Sequence, residues 1–441
     1  MSNPTPEIPH SPKEQRAWYM YDFANSAFAS TVVTLFLGPY LTQLAKAASD
    51  SHGNIYPLGI EVFHGSYWGY LVSVSVITQV ICLPVLGAIA YYSPSKKRLL
   101  GLFAYTGAFA TIAMFALKDG MYLWGGALFL AANLAFGASV VLYNSFLNDI
   151  APESERDSVS SKGWGIGYLG GGTLLGLNLI LYSNAARFGL DEGMAVRISL
   201  GSAGAWWALF AIVPMLGLRN RKPRHDVPAG HSLVSTGFVQ LGQTFKDMRH
   251  YPQTLTFLLA FLVYNDAIQA VITLSGQYGA DHLKIPMESL TLAILMVQFV
   301  AFGGAMLFNV IAKWITAFRA VVVSLIIWTL LMVGVFAVKT TTDFFIAAAL
   351  VAMVMGGSQA LSRSLYSLMI PKGKEAEYFS LYEVSDKGTS WLAPLIFSLT
   401  LQFTRSYELA ILSLIFFFVA GLFILLRVDV RRAAREAGNE V

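Results

Sequence analysis

Two acidic residues lie inside apolar stretches of the sequence. Asp22 lies near the start of the run from Trp18 to Tyr40, and Asp266 lies within FLVYNDAIQAVITLSGQY. An ionised carboxylate in the hydrocarbon of a bilayer costs at least ~2.5–3.5 kcal/mol, so it is expected to face a polar partner or a water-filled cavity. Such a group can hold a cationic part of a solute, or it can take up and release a proton.

Each acid begins a polar stripe at helical spacing. On a helix, residues at i, i+3, i+4 and i+7 share one face. The stripes consist of Asp22, Asn25, Ser26 and Ala29 in one case, and of Asp266, Gln269, Ala270, Thr273 and Gln277 in the other. Amide and hydroxyl side chains also join membrane helices to one another for about 0.6 kcal/mol each, so helix packing stays open as an alternative for the amides.

Further polar residues occur in two other apolar stretches. One ends with Asn144, Asn148 and Asp149, and the other contains Gln359 and Arg363. A guanidinium suits a carboxylate or another anion, although an arginine near a helix end can also extend to the membrane surface. Glu383 and Lys387 form an i, i+4 pair, which predicts a gate or a structural contact. Asp149, Lys162 and Asp386 are assigned to the same group of gating or structural candidates.

Composition identifies the elements that must position these residues. The chain has 441 residues, of which 55% are hydrophobic and 13% charged, with a mean hydropathy of +0.57. Soluble proteins have about 25% charged residues, so we expect an all-α integral membrane protein. Runs of about 20 apolar residues predict twelve spans, at 17–45, 65–91, 99–117, 122–147, 162–184, 196–218, 254–277, 288–311, 318–338, 343–369, 388–404 and 407–427.

The spans form two sets of six. The predicted organisation is a tail (1–16), an N-terminal bundle (17–218), a linker with an amphipathic helix (219–253), a C-terminal bundle (254–427) and a second tail (428–441). With both termini cytoplasmic, only seven of the 30 Lys and Arg residues lie on the opposite side. The positive-inside rule therefore predicts cytoplasmic termini, and we expect the plasma membrane, the inner membrane of a bacterium.

The two halves also repeat one another weakly. A shift of 219 residues pairs Gly137 with Gly356 and Leu142 with Leu361, and a shift of 244 pairs Asp22 with Asp266. These matches favour two parallel repeats related by an axis along the membrane normal.

Several other functions lack support in the sequence. Gly165, Gly167 and Gly170 match a nucleotide-binding pattern, but no strand precedes them, so close helix packing is the better interpretation. The seven histidines lie outside the spans or at their edges. His52 and His64, with Asp50 and Glu61, lack metal-ligand spacing, and a solvated loop is the expected structure. We predict no metal, no cofactor, no catalytic residues and no nucleic-acid partner.

Several stretches resemble a known family. Twelve spans in two repeats are similar to the major facilitator superfamily. More narrowly, WYMYDFANSAF, LNDIAPESERDSVSSKGWGIGYLGG and FLVYNDAIQAV resemble the vacuole-effluxer-like branch, whose fungal namesake is an autophagy-related exporter of amino acids. The resemblance places Asp22, Asn25, Asn148, Asp149, Lys162, Gly163, Asn265 and Asp266 at motif positions.

The resemblance implies a cavity lined by spans 1, 4, 7 and 10. Its candidate residues for binding substrate or a proton are Asp266, Asp22, Asn25, Asn265, Tyr264, Gln269, Asn144, Asn148, Gln359 and Arg363. We expect a monomer that moves a small polar solute, amino acids first, by proton-coupled or facilitative alternating access. A transporter of lipids or amphipathic drugs and a non-transporting receptor or scaffold are the alternatives.

Overall fold

The structure is a computed structural model that describes residues 11–92, 95–152, 156–220, 246, 248–370, 382 and 390–439. Eleven helices within these ranges are long and apolar enough to cross a membrane. The first of them runs without a break from Pro12 to Ala47 and consists of α1 (Pro12–Ala27), a π-helical segment (Phe28–Phe36) and α2 (Leu37–Ala47). A short hairpin of β1 (Asn54–Ile55) and β2 (Val62–Phe63) follows.

The rest of the first half is helical. It contains α3 (Tyr67–Tyr92), α4 (Lys96–Ala113), α5 (Tyr122–Ser145), the short α6 (Leu147–Ile150), α7 (Arg156–Ser183) and α8 (Glu192–Gly217). Local signals fix several ends: the Asp191 carboxylate accepts the N–H of Met194 and so caps α8, which satisfies one of the free amides at a helix start.

The second half begins with α9 (Pro252–Gln277), which continues as a π-helical segment (Tyr278–His282). The following helices are α10 (Met287–Ile315), α11 (Ala317–Gly334), α12 (Thr341–Leu368), α13 (Leu392–Thr404), α14 (Tyr407–Ser413), α15 (Ile415–Leu425) and α16 (Val430–Glu436). Both α1 and α9 start with a proline, which fits the first turn because its missing N–H has no helical acceptor there.

The predicted spans agree with these helices. The span predicted at 388–404 corresponds to α13, which has 13 residues; residues 383–389, just before it, lie outside the described ranges. The amphipathic helix predicted near residues 239–249 also falls largely outside them. The two π-helical segments and the hairpin have no counterpart among the predictions.

The chain divides into two compact units. The first comprises Met1–Leu37 and Ile81–Val239, and the second comprises Gly38–Val80 and Gln240–Val441. In the first, α1 packs against α7 and α8, and α4 against α5 and α8; in the second, α10 packs against α12, and α9 against α15. Residues 38–80 therefore belong to the unit that contains the second half, although the predicted boundaries assign them to the N-terminal bundle.

Candidate functional site

Asp266 is buried in the second unit. Its residue is 1% exposed, and its Oδ2 accepts the backbone N–H of Ala393, 3.0 Å away, in the first turn of α13. Among the described residues, Oδ1 has no hydrogen-bond partner. A helix N-terminus carries a partial positive charge that favours an anionic group. One carboxylate oxygen therefore contacts the first turn of α13.

The residues beside Asp266 contact other helices. Tyr264 is fully buried, and its hydroxyl shares a 2.6 Å hydrogen bond with Ser362 on α12. Asn265 is 1% exposed. Three consecutive candidates on α9 are thus buried in one unit, and Tyr264 and Asp266 join α9 to two different helices.

The rest of the α9 stripe continues towards the hairpin. Gln269 is half-buried, and its carbonyl accepts the Thr273 hydroxyl at 2.9 Å. Gln277 is fully buried and donates to the Gly65 carbonyl at 2.6 Å and to the Tyr407 hydroxyl at 3.0 Å. Packing between helices, the alternative for the amides, therefore describes the position of Gln277.

Asp22 is bound within the first unit. The Tyr143 hydroxyl of α5 donates to Asp22 Oδ2 at 2.6 Å. Trp18, one turn earlier, donates its indole N–H to the Tyr143 carbonyl at 2.9 Å and stacks on the Tyr143 ring with centroids 4.3 Å apart. Asn25, the next residue of the stripe, is buried. Asp22 and Trp18 thus attach α1 to one residue of α5.

Glycines of α7 lie against the Asp22 side of α1. A Cβ at Gly163 would lie 2.8 Å from Asp22 Oδ2, one at Gly167 would lie 2.8 Å from the Ser26 hydroxyl, and one at Gly170 would overlap the Phe23 carbonyl. There is no room for larger residues, because protein interiors are already close-packed. The predicted close helix packing is confirmed for Gly167 and Gly170, whereas a Cβ at Gly165 would meet no atom within 4 Å.

The candidates of α5 and α12 are less buried. Asn144 and Arg363 are exposed, and Gln359 is half-buried. The side chain of Asn148 is outside the described part of the chain. Asp149 is 7% exposed and forms an ion pair with Lys96 at 2.9 Å, consistent with the structural role expected of it.

Of the other four gating or structural candidates, one is described and three lie outside the described residues. Lys162 is an exposed residue of α7, whereas Glu383, Asp386 and Lys387 lie outside the described ranges. The structure brings Asp22 together with Tyr143 in one unit and Tyr264, Asn265 and Asp266 together in the other. That all ten binding candidates line one cavity remains a prediction.

Sequence reasoning did not identify Tyr143 or the Ala393 N–H. A repeat signal could have indicated Tyr143, because the shift of 219 residues pairs it with Ser362. Each of these two hydroxyl groups bonds to the first helix of its own half. The Ala393 amide had no sequence signal, since every residue except proline carries one.

The side chain of His64 contacts a backbone carbonyl, whereas His52 bonds to Asp50 through its backbone N–H. His64 Nδ1 lies 2.9 Å from the Gly53 carbonyl, and the described residues contain no group of three His, Cys, Asp or Glu that could hold a metal.

Comparison with solved structures shows the fold. The chain has the fold of the nucleoside transporter NupG, with a TM-score of 0.66 and 14% identity over 94% of this chain and 98% of that one. It is also similar to a bacterial homologue of the human lysosomal transporter Spinster, with a TM-score of 0.63 and 14% identity over 97% and 98% of the two chains. These likenesses show the fold, which is that of a major facilitator transporter, as predicted.

Sequence comparison then shows the family. Residues 10–438 match the family described as "Vacuole effluxer Atg22 like". The chain is 32% identical over 416 residues to the uncharacterised MFS-type transporter YxiO of Bacillus subtilis (strain 168), covering 94% of each. It is 25% identical over 497 residues to autophagy-related protein 22 of Saccharomyces cerevisiae (strain ATCC 204508 / S288c), covering 96% of this chain and 92% of that protein.

The chain therefore belongs to the Atg22-like family. It is an MFS-type, multi-pass membrane transporter of small-molecule solutes; its family and its structural neighbours are transporters and not enzymes.

Proposed function

We propose that the protein moves a small polar solute, with amino acids as the leading class, by alternating access that is proton-coupled or facilitative. The observation that carries this proposal is Asp266, a buried carboxylate with one oxygen on the start of α13 and the other without a hydrogen-bond partner among the described residues. A buried ionisable residue of a membrane helix marks a solute or proton path far more often than a lipid-facing surface.

Amino acids lead because both signs of charge are present among the candidates. Asp266 and Asp22 suit an ammonium group, and Arg363, exposed on α12, suits a carboxylate. The resemblance to amino-acid exporters supports the same class. Asp266 is also the preferred proton carrier, since its Oδ1 can accept a proton while Oδ2 keeps the Ala393 N–H.

Reconstituted transport tests this proposal. Purified protein in liposomes is assayed for counterflow of a mixture of radiolabelled amino acids, with and without a pH gradient. Asp266→Asn should lower the gradient-driven rate about tenfold or more, the factor that corresponds to about 1.4 kcal/mol. The matched control is Asp191→Asn, because Asn caps a helix as well as Asp does. Undiminished transport by both Asp22→Asn and Asp266→Asn would refute the carboxylate role.

A groove in the second unit favours a second candidate, an amphipathic solute or lipid. The groove has a volume of about 280 Å³ and lies between α10 and α12, lined by Phe302, Ala305, Met306, Asn309, Ala360, Leu361 and Ser364. Its mostly apolar wall with two polar side chains suits a molecule of mixed character. Native mass spectrometry that finds bound lipid, reduced by Phe302→Ser, would support this candidate; lipid-free protein that exchanges amino acids would exclude it.

We propose that the protein lies in the bacterial inner membrane as a monomer and that both of its termini are cytoplasmic. The Lys and Arg distribution supports the orientation. A C-terminal fluorescent-protein fusion should fluoresce, because that side remains in the cytoplasm; an alkaline phosphatase fusion at the same site should be inactive.

A further inference from the structure

The segment between α2 and α3 is a folded hairpin. Residues Asn54 and Ile55 pair with Phe63 and Val62. The Asp50 carboxylate accepts the N–H groups of His52 and Asn54, each at 2.9 Å, and the Tyr56 hydroxyl at 2.7 Å. This segment therefore has a fold held by its own hydrogen bonds.

The end of α13 holds the base of the hairpin. Arg405 donates from Nη2 to Asn54 Oδ1 at 2.6 Å, and its guanidinium lies 4.0 Å from the centroid of the Phe63 ring. Gln402 Oε1 accepts the Phe63 N–H at 2.6 Å. Arg405 also has a φ of +57°, in the left-handed region that is unfavourable for residues other than glycine. This left-handed residue ends α13, and its N–H bonds to the Leu401 carbonyl, a common way for a helix to terminate.

The end of α9 contacts the turn that precedes α3. The Tyr407 hydroxyl donates its single proton to Asp281 Oδ2 at 2.7 Å, so it must accept the bond from Gln277 Nε2 at 3.0 Å. Gln277 Nε2 also donates to the Gly65 carbonyl. The result is a chain of hydrogen bonds that joins the turn before α3 to α9 and α14.

Close packing extends the contact along α3. A Cβ at Gly69 would overlap the Ser398 hydroxyl and would lie 3.3 Å from the Pro394 carbonyl. Trp68, fully buried beside it, points its indole nitrogen at the Thr273 carbonyl, 3.4 Å away. Helix α3 thus packs closely against α13 at Gly69 and against α9 at Trp68.

These contacts explain why Gly38–Val80 belongs to the second compact unit while the residues on either side of it belong to the first. The boundary follows directly on the π-helical segment Phe28–Phe36. Such segments have altered backbone hydrogen bonding and often mark functional sites.

We propose that three hydrogen bonds, here named the latch, are a gate on the hairpin side of the membrane. They run from Gln277 to the Gly65 carbonyl, from Arg405 to Asn54 Oδ1, and from the Phe63 N–H to Gln402 Oε1. The latch holds residues 38–80 closed, and it must release before the solute site opens to that side, with bending at the Phe28–Phe36 segment. This inference rests on the proposed alternating access. By the Lys and Arg distribution, the hairpin side is the non-cytoplasmic one.

Hydrogen–deuterium exchange in proteoliposomes tests whether the latch opens as one unit. Arg405→Ala and Gln277→Ala should each speed exchange about tenfold, the factor that corresponds to a lost hydrogen bond worth about 1.4 kcal/mol, in all three regions: 54–69, 277–281 and 394–407. The matched control is Arg187→Ala, whose guanidinium donates to Asn184 three residues away. If Gln277→Ala does not fold, Arg405→Lys takes its place. Faster exchange confined to the substituted region would overturn the proposal.

A reversible cross-link tests whether opening is required. In a Cys82→Ala background, Gly69→Cys with Ser398→Cys should form a disulfide, because a Cβ at Gly69 would lie 3.4 Å from Ser398 Cβ, close to the ~3.5–4.5 Å of natural disulfides. Oxidation should slow exchange in region 54–69 and stop amino-acid counterflow, and a reductant should restore both. The Ser398→Cys single variant, which leaves Gly69 in place, shows the effect of oxidant alone.

The two readouts separate the latch from the proposed substrate. If no amino acid is transported by any variant, the substrate proposal fails, and the exchange measurement alone decides on the latch. If the disulfide forms and counterflow continues at the same rate as in the protein without the disulfide, the latch is a fixed structural contact and the gate is refuted. Unchanged exchange on oxidation would refute it as well.

Discussion

The hydroxyl of Tyr143 donates a 2.6 Å hydrogen bond to Asp22 Oδ2. This contact gives the acid of the first helix a partner within its own unit. The equivalent position of the repeat, Ser362, bonds to Tyr264 and not to Asp266. The two acids are thus held differently: Asp22 by a side chain, and Asp266 by a backbone amide.

Removal of the Tyr143 hydroxyl should destabilise the first unit. Tyr143→Phe keeps the ring that stacks on Trp18 but removes a hydrogen bond to an acidic group, worth about 1.5–3 kcal/mol. We expect a lower melting temperature in detergent, and a smaller decrease for Asp22→Asn, which keeps an acceptor oxygen. Additive effects in the double variant would show that the two side chains are not coupled.

Two neighbouring glycines of α7 should respond oppositely to alanine. At Gly170 a Cβ would overlap the Phe23 carbonyl, whereas at Gly172 it would meet no atom within 4 Å. Gly170→Ala should cost about 1–3 kcal/mol through overpacking. Gly172→Ala should be neutral or stabilising by up to about 1 kcal/mol, because alanine favours helix. The melting temperatures of the two variants, measured in parallel, test this prediction. Equal values would contradict the close contact of α1 with α7.

The Lys96–Asp149 ion pair should contribute measurably to stability. Its side chains are only 16% and 9% exposed, so Asp149→Asn leaves a lysine in a poorly solvated position, at a cost of about 2 kcal/mol after allowance for partial screening. The charge-swapped variant, Lys96→Asp with Asp149→Lys, should recover part of the melting temperature. Arg98→Ala, an exposed neighbour, is the control and should have little effect.

The hairpin should loosen in acid. The N–H of Asn54, the Tyr56 hydroxyl and the N–H of His52 hold the pKa of Asp50 below its ordinary value. Because the pKa is lower in the folded hairpin, the stabilisation is present above the unfolded value of about 3.9 and is lost as pH falls through the folded pKa.

Exchange in residues 50–63, corrected for intrinsic rates, should therefore rise below about pH 4. Asp50→Asn should give fast exchange at neutral pH and remove this transition. Asp119→Asn, in another loop, should leave it unchanged. A transition that persists in Asp50→Asn would assign the effect to another group.

The membrane helices could be predicted from sequence because a span is specified by composition over about 20 residues. The concentration of glycines in α7 likewise predicted close helix packing, although it did not identify α1 as the partner. The hairpin escaped prediction because its strands have only two residues each, too few for an alternating pattern to appear. The π-helical segments escaped as well, since a change in hydrogen-bond register leaves residue composition unchanged.

The candidate acids were also found from sequence, because a carboxylate in an apolar run stands out. Their partners were not. Tyr143 is one of 20 tyrosines and lies 121 residues from Asp22, and Ala393 acts through its backbone. Long-range pairing of this kind depends on the packing of helices, which a single sequence does not specify.

The latch also bears on how the protein is made. Phe63 and Asn54 meet Gln402 and Arg405 across 339 and 351 residues of chain. During synthesis the hairpin therefore leaves the ribosome long before its partners exist, and contacts between distant residues form slowly because the intervening loop must first close. The first unit can assemble around α1 and α7 early, but residues 38–80 reach their final place only after α13 has been inserted.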